Sequence, residues 1–273
     1  MKTDRLFPAF SASFFLFLCL CLLCVYVPLW FKCFVTIARM QIRFLHTDLK
    51  SPTPALGPDE AHVWTAPLDA PEHAGRLEGL LSPAEVERAA RLKVERIREQ
   101  FCAARGMLRA LLARYLDLSP CELPITYEPN GKPVLGASVS DLQFNLSHSE
   151  SLAVYAFARA RRIGVDVERL RPIPNVEGIV ERFFSSRERE AFFALPPAQR
   201  QPAFFRAWVC KEAVLKGTGQ GVPALECCDV AVAPEDKPRV FRIGEDADAD
   251  RKWELAVWEP SPGYVGAVAV ERC

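Results

Sequence analysis

The sequence predicts an α+β fold on three observations. A helical pattern followed by a run of short strands occurs twice along the chain, which segregates helices from strands instead of interleaving them. Two helix starts carry complete capping boxes, Ser82-Pro83-Ala84-Glu85 and Ser185-Ser186-Arg187-Glu188. Between the two cycles, Ile163-Gly164-Val165-Asp166-Val167-Glu168 alternates apolar residues with small or acidic ones, the period of two of a half-buried strand.

The elements follow in order. Residues 6–31 contain no charge. A helix over residues 9–31 would be long enough to cross a bilayer core, which takes about 20 residues for about 30 Å. Lys2 and Arg5 precede the run, while Lys32, Arg39, Arg43 and Lys50 follow it. That bias places the rest of the chain in the cytoplasm. No small-x-small site ends the run, which argues against a cleaved signal peptide. Two readings stay open: a membrane anchor, or a mis-assigned start upstream of a soluble protein beginning at or near Met40. Residues 51–58 are rich in Pro and Gly and read as a linker. Residues 1–59 therefore stand apart from a folded region of residues 60–273.

That region opens with a short strand near Val63 and Trp64. A helical stretch runs from Ser82 to about Leu116 with one break. Val86, Ala90, Val94, Ile97, Phe101, Leu108, Leu111 and Tyr115 form its expected buried stripe. Arg88, Arg91, Lys93, Arg98 and Arg105 form a basic face that solvates most of its members. Strands follow near 124–128, 142–147 and 152–158. The second cycle begins at the 163–168 strand and continues with the helix capped by Ser185. Pro196 and Pro197 break that helix, and a new one runs over about 198–216, ended by Gly217. Gly217-Thr218-Gly219-Gln220-Gly221 follows a helix and not a strand, so it reads as a turn and not a dinucleotide fingerprint. Strands near 227–232, 239–243, 253–258 and 264–270 close the chain.

Three pieces carry chemistry. On a strand, residues i and i+2 share a face, so Asp166 and Glu168 stand side by side, roughly 7 Å apart along the backbone. Two like charges this close repel, and a cation between them removes the conflict. In Trp208-Val209-Cys210-Lys211-Glu212-Ala213-Val214-Leu215-Lys216, the residues Trp208, Glu212 and Lys216 fall at i, i+4 and i+8 on one helix face. If that face meets the strand, three carboxylates and an ammonium converge, a hard-oxygen set suited to magnesium holding a phosphate. Phe144-Asn145-Leu146-Ser147-His148-Ser149 is a strand, inward at Leu142, Phe144 and Leu146, that ends in a polar tip able to bind an anion. Taken singly, an Asp-x-Glu strand is more often a solvated face, a Lys-Glu helix pair a surface ion pair, and a lone His a structural residue.

Together these pieces resemble the 4'-phosphopantetheinyl transferases of the surfactin-synthetase-activating type. The resemblance rests on Asn130-Gly131-Lys132-Pro133, on the 144–149 and 163–168 strands, on Arg182-Phe183-Phe184-Ser185 with Glu188, and on Trp208 through Lys216, all in the family's order. It covers about residues 60–273. It implies two similar lobes related by a pseudo-twofold axis, residues 60–160 and 161–273, each a long helix packed on a small antiparallel sheet, with the active site between them; no repeat is visible in the sequence itself. It implies a magnesium-dependent monomer of the holo-[acyl-carrier-protein] synthase type. Such an enzyme transfers 4'-phosphopantetheine from coenzyme A to a serine of an acyl or peptidyl carrier protein and releases adenosine 3',5'-bisphosphate. By the match, Asp166, Glu168 and Glu212 would hold magnesium. Glu212 would also help deprotonate the serine, and Lys216 would contact the pyrophosphate and stabilise the departing phosphate. His148 and Ser147 would meet the adenosine 3'-phosphate, and Lys132 the adenine region. Arg105 and one of Arg91 or Lys93 would reach coenzyme phosphates. Glu188 is a further site candidate, and Trp208 is packing that fixes the helix.

Composition sets limits. Half the residues are hydrophobic, a quarter are charged and the net charge is zero, which excludes nucleic-acid binding by bulk charge. Of ten cysteines, Cys19, Cys21, Cys24 and Cys33 lie in an apolar run and the other six are scattered; Cys21-x-x-Cys24 has no second ligand pair and no nearby His, so the thiols are expected to be reduced and mostly packed. Phe192, Phe193, Phe204 and Phe205 are expected in the core. Two rival classes are a magnesium-dependent phosphohydrolase, which could use the same acids, and a membrane-tethered interaction protein.

Overall fold

The computed structural model describes residues 40–47, 51–70, 75–128, 131–136 and 140–272. The apolar run at residues 9–31 and Asn130 lie outside them. Among the described residues no helix is long and apolar enough to cross a membrane.

In chain order the strands are β1 (Gln41–His46), β2 (Glu60–Pro67), β3 (Ile125–Tyr127), β4 (Pro133–Leu135), β5 (Leu142–Ser149), β6 (Leu152–Arg159), β7 (Ile163–Arg169), β8 (Cys228–Val230), β9 (Val240–Ile243), β10 (Trp253–Trp258) and β11 (Tyr264–Glu271). The α-helices are α1 (Pro83–Ala90), α2 (Glu95–Leu116), α3 (Val176–Phe183), α4 (Ser186–Ala194), α5 (Pro197–Thr218) and α6 (Ala249–Lys252). One sheet has the order β1-β2-β6-β5 and a second the order β10-β11-β7, with two small hairpins, β3-β4 and β8-β9. Every pairing is antiparallel except β1 on β2. This is a mixed helix-and-sheet architecture with small antiparallel sheets, as the composition of the elements predicts.

Period-two alternation explains the layering. β6 is buried along almost its whole length. Ala153, Tyr155 and Phe157 pack with Leu108, Leu111 and Leu112 of α2. The alternate residues Val154, Ala156 and Ala158 face the other way and meet Val165 and Val167 of β7 and Val268 of β11. The opposite side of the β10-β11-β7 sheet is covered by α5, through Ala213, Val214 and Leu255 among others. The predicted inward set of β7 is therefore correct. Its other face is not solvated, because α5 lies on it.

Both capping boxes form. Ser82 Oγ accepts from Glu85 N and Ser185 Oγ from Glu188 N, and each glutamate accepts from its cap backbone N–H. α4 ends at Ala194 and α5 begins at Pro197, so the two prolines do separate the helices. The helix does not stop at Gly217: it continues to Thr218, and Gly219 caps it at φ 79°, in the left-handed region that favours glycine.

Four expectations are corrected. A strand precedes residue 60, because β1 adds to the edge of β2 in parallel register. The stretch read as a linker is tied down, with Leu56 in the core and its carbonyl accepting from Arg159 Nε. Val86, Val94 and Ile97 are 48%, 56% and 52% exposed, and Ala90 is exposed as well, so the expected stripe holds only from Phe101 onward. The chain breaks between Ala90 and Glu95, and the break resets the helical phase. Phe193 is exposed, whereas Phe192, Phe204 and Phe205 are core. Of the described cysteines, Cys102, Cys210 and Cys228 are buried, Cys121 and Cys227 are exposed, and all five are free thiols.

Candidate active site

β7 carries Gly164, Asp166 and Glu168 on the face that meets α5. Gly164 permits the meeting: a Cβ there would lie 2.0 Å from Ala213 O and 2.3 Å from Gly217 N, both backbone atoms of α5. Without a side chain at this point, the helix drops close enough for its own acid and amine to reach the strand. Lys216 Nζ donates to Asp166 Oδ1 at 2.6 Å and to Ser147 Oγ at 3.0 Å. Ser147 Oγ donates to the same Asp166 oxygen at 2.7 Å. Asp166 is 4% exposed, and its other oxygen, Oδ2, is buried without a hydrogen-bond partner. A buried carboxylate oxygen left without a partner is costly.

Glu168 accepts from Ser149 Oγ at 3.0 Å and from Arg171 at 3.4 Å, both at Oε2. Glu212, half-buried one turn before Lys216, feels both strand acids. Burial raises its carboxyl above the ordinary range, Lys216 pulls it down, and the charges of Asp166 and Glu168 push it further up. The three carboxylates are thus electrostatic neighbours with too little positive charge among them. Lys216 at Asp166 and Arg171 at Glu168 supply part of it. Among the described residues no group of three or more His, Cys, Asp or Glu side chains is arranged around a common point as ligands. The orphaned Asp166 Oδ2 and the mutual repulsion at Glu212 nonetheless fit a divalent cation with oxygen ligands.

A cleft of about 440 Å³ opens beside these groups, between β5, the start of β4 and the end of α5. Arg105, Lys132, Ser147, His148, Glu212 and Lys216 line it, together with Gly131, Gly219 and Gly221, where bare backbone forms the wall. The cleft presents four basic side chains, Arg105, Lys132, His148 and Lys216, which suits an anion. Arg105 leans over the rings of Phe101 and Tyr127, and its Nη1 is buried without a hydrogen-bond partner. Lys132 Nζ donates to Lys216 O at 2.7 Å, capping the C-terminal end of α5, and burial lowers its amine below the ordinary value. His148 is exposed at the mouth. Desolvation of its ring, then the charges of Lys216 and Arg105, lower its imidazole below the usual value, against Asp166.

The structure brings together most of the residues singled out in the sequence. Arg105, Lys132, Ser147, His148, Glu212 and Lys216 share the cleft, and Asp166 lies against it through Ser147, whereas Glu168, held by Ser149, lines a neighbouring pocket with Arg171 and Trp208. Two are not brought in. Arg91 is exposed and paired with Glu87 on α1, and Lys93 is exposed in the turn that follows; neither lines the cleft. Glu188 is corrected from site candidate to core. It is fully buried, accepts from Lys211 Nζ at 2.5 Å and from Val230 N at 2.9 Å, and closes the α4 capping box. Trp208 packs on Phe183 and Phe204, as expected. Sequence reasoning missed Asn145, whose Oδ1 accepts from Val165 N at 3.0 Å, and Ser149. Their signal was available: Asn145, Ser147 and Ser149 form a small polar row at period two.

Residues 162–269, which contain Asp166, Glu168, Glu212 and Lys216, match the model of the 4'-phosphopantetheinyl transferase superfamily. The chain is 42% identical over 229 residues to the 4'-phosphopantetheinyl transferase HetI of Nostoc sp., covering 82% of this chain and 94% of that protein. It is 34% identical over 199 residues to a putative 4'-phosphopantetheinyl transferase of Synechocystis sp., covering 72% and 79%. With the 4'-phosphopantetheinyl transferase Sfp of Bacillus subtilis it shares 26% over 198 residues, 72% and 85% of the two chains.

Proposed function

The chain belongs to the 4'-phosphopantetheinyl transferase superfamily, and from that premise we propose that it moves 4'-phosphopantetheine from coenzyme A to a serine of an apo carrier protein. The carrier hydroxyl attacks the β-phosphorus of the coenzyme, a new P–O bond forms, and the bond to the bridging oxygen breaks. Adenosine 3',5'-bisphosphate departs. The reading is of the holo-[acyl-carrier-protein] synthase type, and the carrier is acyl or peptidyl.

One observation carries it: Lys216 and the half-satisfied carboxylate of Asp166 meet at the wall of a cleft rich in cationic side chains. An ammonium at that point opposes the charge that builds on the departing phosphate. Asp166, Glu168 and Glu212 are the residues that would hold magnesium. When bound, the ion neutralises and orients the diphosphate. The raised Glu212 carboxyl is also suited to take the proton of the attacking hydroxyl, since a base works best with a pKa near the operating pH. Ser147, His148, Arg105 and Lys132 are assigned to the nucleotide end; Arg91 and Lys93 have no place in this reading.

We further propose that residues 60–160 and 161–273 are two lobes related by a pseudo-twofold axis, acting as a monomer. The recurrence of elements supports this. A strand, a short capped helix, a 22-residue helix, a small hairpin and two paired strands occur in each half. The sheet orders β2-β6-β5 and β7-β11-β10 correspond.

The test is to incubate the full chain with coenzyme A, magnesium and several apo carriers, and to look for the mass gain of the transferred arm on the carrier. Asp166→Ala and Glu212→Gln are expected to abolish it while melting near the wild-type temperature. Near-normal transfer by either variant would overturn the metal assignment. Rapid coenzyme A consumption without carrier would favour a phosphohydrolase instead.

A further inference from the structure

β5 and β7 belong to different sheets, yet they run side by side, joined by side chains and not by a backbone ladder. Asn145 accepts the N–H of Val165 at 3.0 Å. Two residues on, Ser147 donates to Asp166 Oδ1 at 2.7 Å. Two residues further, Ser149 donates to Glu168 Oε2 at 3.0 Å and accepts from Arg169 N at 3.1 Å. The shared period of two lets one strand address both acids of the other.

At each acid the result is alike. Both hydrogen bonds that Asp166 accepts go to Oδ1, and both that Glu168 accepts go to Oε2. One oxygen of each carboxylate is held, and among the described residues the other accepts no hydrogen bond. Ser149 is itself locked: its hydroxyl proton goes to Glu168 while its lone pair takes the Arg169 amide, so the donor cannot rotate away.

We infer that Ser149 is a positioning residue that fixes the rotamer of Glu168 for cation binding, as Ser147 does for Asp166. The inference rests on the metal reading proposed above. It extends that reading to the β5-β6 hairpin, which carries His148, so the nucleotide end of the cleft and the acid pair are set by one strand. Groups that orient metal ligands typically govern 10–100-fold in metal affinity.

Manganese serves as probe, with binding to the full chain followed by electron paramagnetic resonance, and a transfer assay in parallel. Ser149→Ala is expected to bind manganese at least tenfold more weakly, with the Michaelis constant for coenzyme A within twofold of wild type. Ser149→Thr, which keeps the hydroxyl, is expected to restore affinity to within about threefold, in line with the outer-shell role. Unchanged affinity in Ser149→Ala would overturn the inference. So would equal loss of affinity in both variants with a lowered melting temperature, since that marks a structural role. No manganese binding by the wild-type chain would sink the metal reading and this inference with it, an outcome separate from the other two.

Discussion

Gly164→Ala tests how the fold makes the site. The added methyl would sit 2.0 Å from Ala213 O and 2.3 Å from Gly217 N. Both neighbours are helix backbone, so no rotamer change relieves the clash. To reach an ordinary contact of 3.4 Å, α5 must withdraw from β7 by about 1.4 Å. α5 carries Glu212 and Lys216, so the 2.6 Å bond from Lys216 to Asp166 would stretch to about 4 Å, past hydrogen-bond range. Overpacking of this kind costs about 1–3 kcal/mol. Displacement of a positioning group by about 1 Å costs on the order of 10²-fold in rate. The assay pairs urea unfolding with the initial rate of carrier modification. Gly217→Ala is the comparison: its methyl meets the buried Trp253 ring at 2.9 Å and Gly164 N at 3.2 Å, both looser than the 2.0 Å contact at Gly164, so a smaller loss is expected. A Gly164→Ala protein with unchanged stability and unchanged rate would refute the claim that the glycine sets the helix-to-strand distance.

Three other outcomes are expected. His62 is fully buried, and burial with the nearby Arg43 charge lowers its imidazole to about 4, from 6.5. The unfolded chain therefore takes up the proton first as pH falls. The contribution is complete above about pH 6.5 and is lost down to about pH 4, by about 3 kcal/mol. Urea midpoints at pH 7.5 and 5.0 should diverge more for wild type than for His62→Gln, and equal shifts would count against it. His148→Ala should raise the Michaelis constant for coenzyme A several-fold and change the saturated rate less, because the ring stands at the cleft mouth and makes no hydrogen bond to Asp166, Glu168 or Glu212 among the described residues; steady-state kinetics separates the two. Lys211→Met strands the buried Glu188 carboxylate and should cost about 3–5 kcal/mol in urea unfolding, with partial recovery on adding Glu188→Gln. A single variant as stable as wild type would show that the pair contributes little.

What the sequence made legible is what local periodicity encodes. The alternation at 163–168 placed Asp166 and Glu168 on one face of a strand, and the spacing of Trp208, Glu212 and Lys216 placed those three on one face of a helix. Ser82 and Ser185 announced two helix starts through residues three positions away. Each of these signals is complete within about nine residues, and each holds in the structure. The misreadings share the opposite property. β1 takes its place from a partner strand 19 residues on, so its own six residues give no sign of pairing. The stripe through Val86, Val94 and Ile97 assumed one phase across Arg91 to Val94, where the chain leaves the helix. Glu188 looked like a free acid because Lys211, which neutralises it, lies 23 residues away.

Gly164 and Gly217 show where local reading ends and function begins. In the sequence, the first is a weak residue in a strand and the second a stop for a helix, and both readings are reasonable by propensity. In the fold they face each other, and α5 continues past Gly217 for one more residue. Lys216 lies in the last turn of α5, where Lys132 holds its carbonyl and its amine turns to Asp166. The acids could be read from spacing, but their closeness to the amine could not, because it depends on two absent side chains that matter only once strand and helix have met.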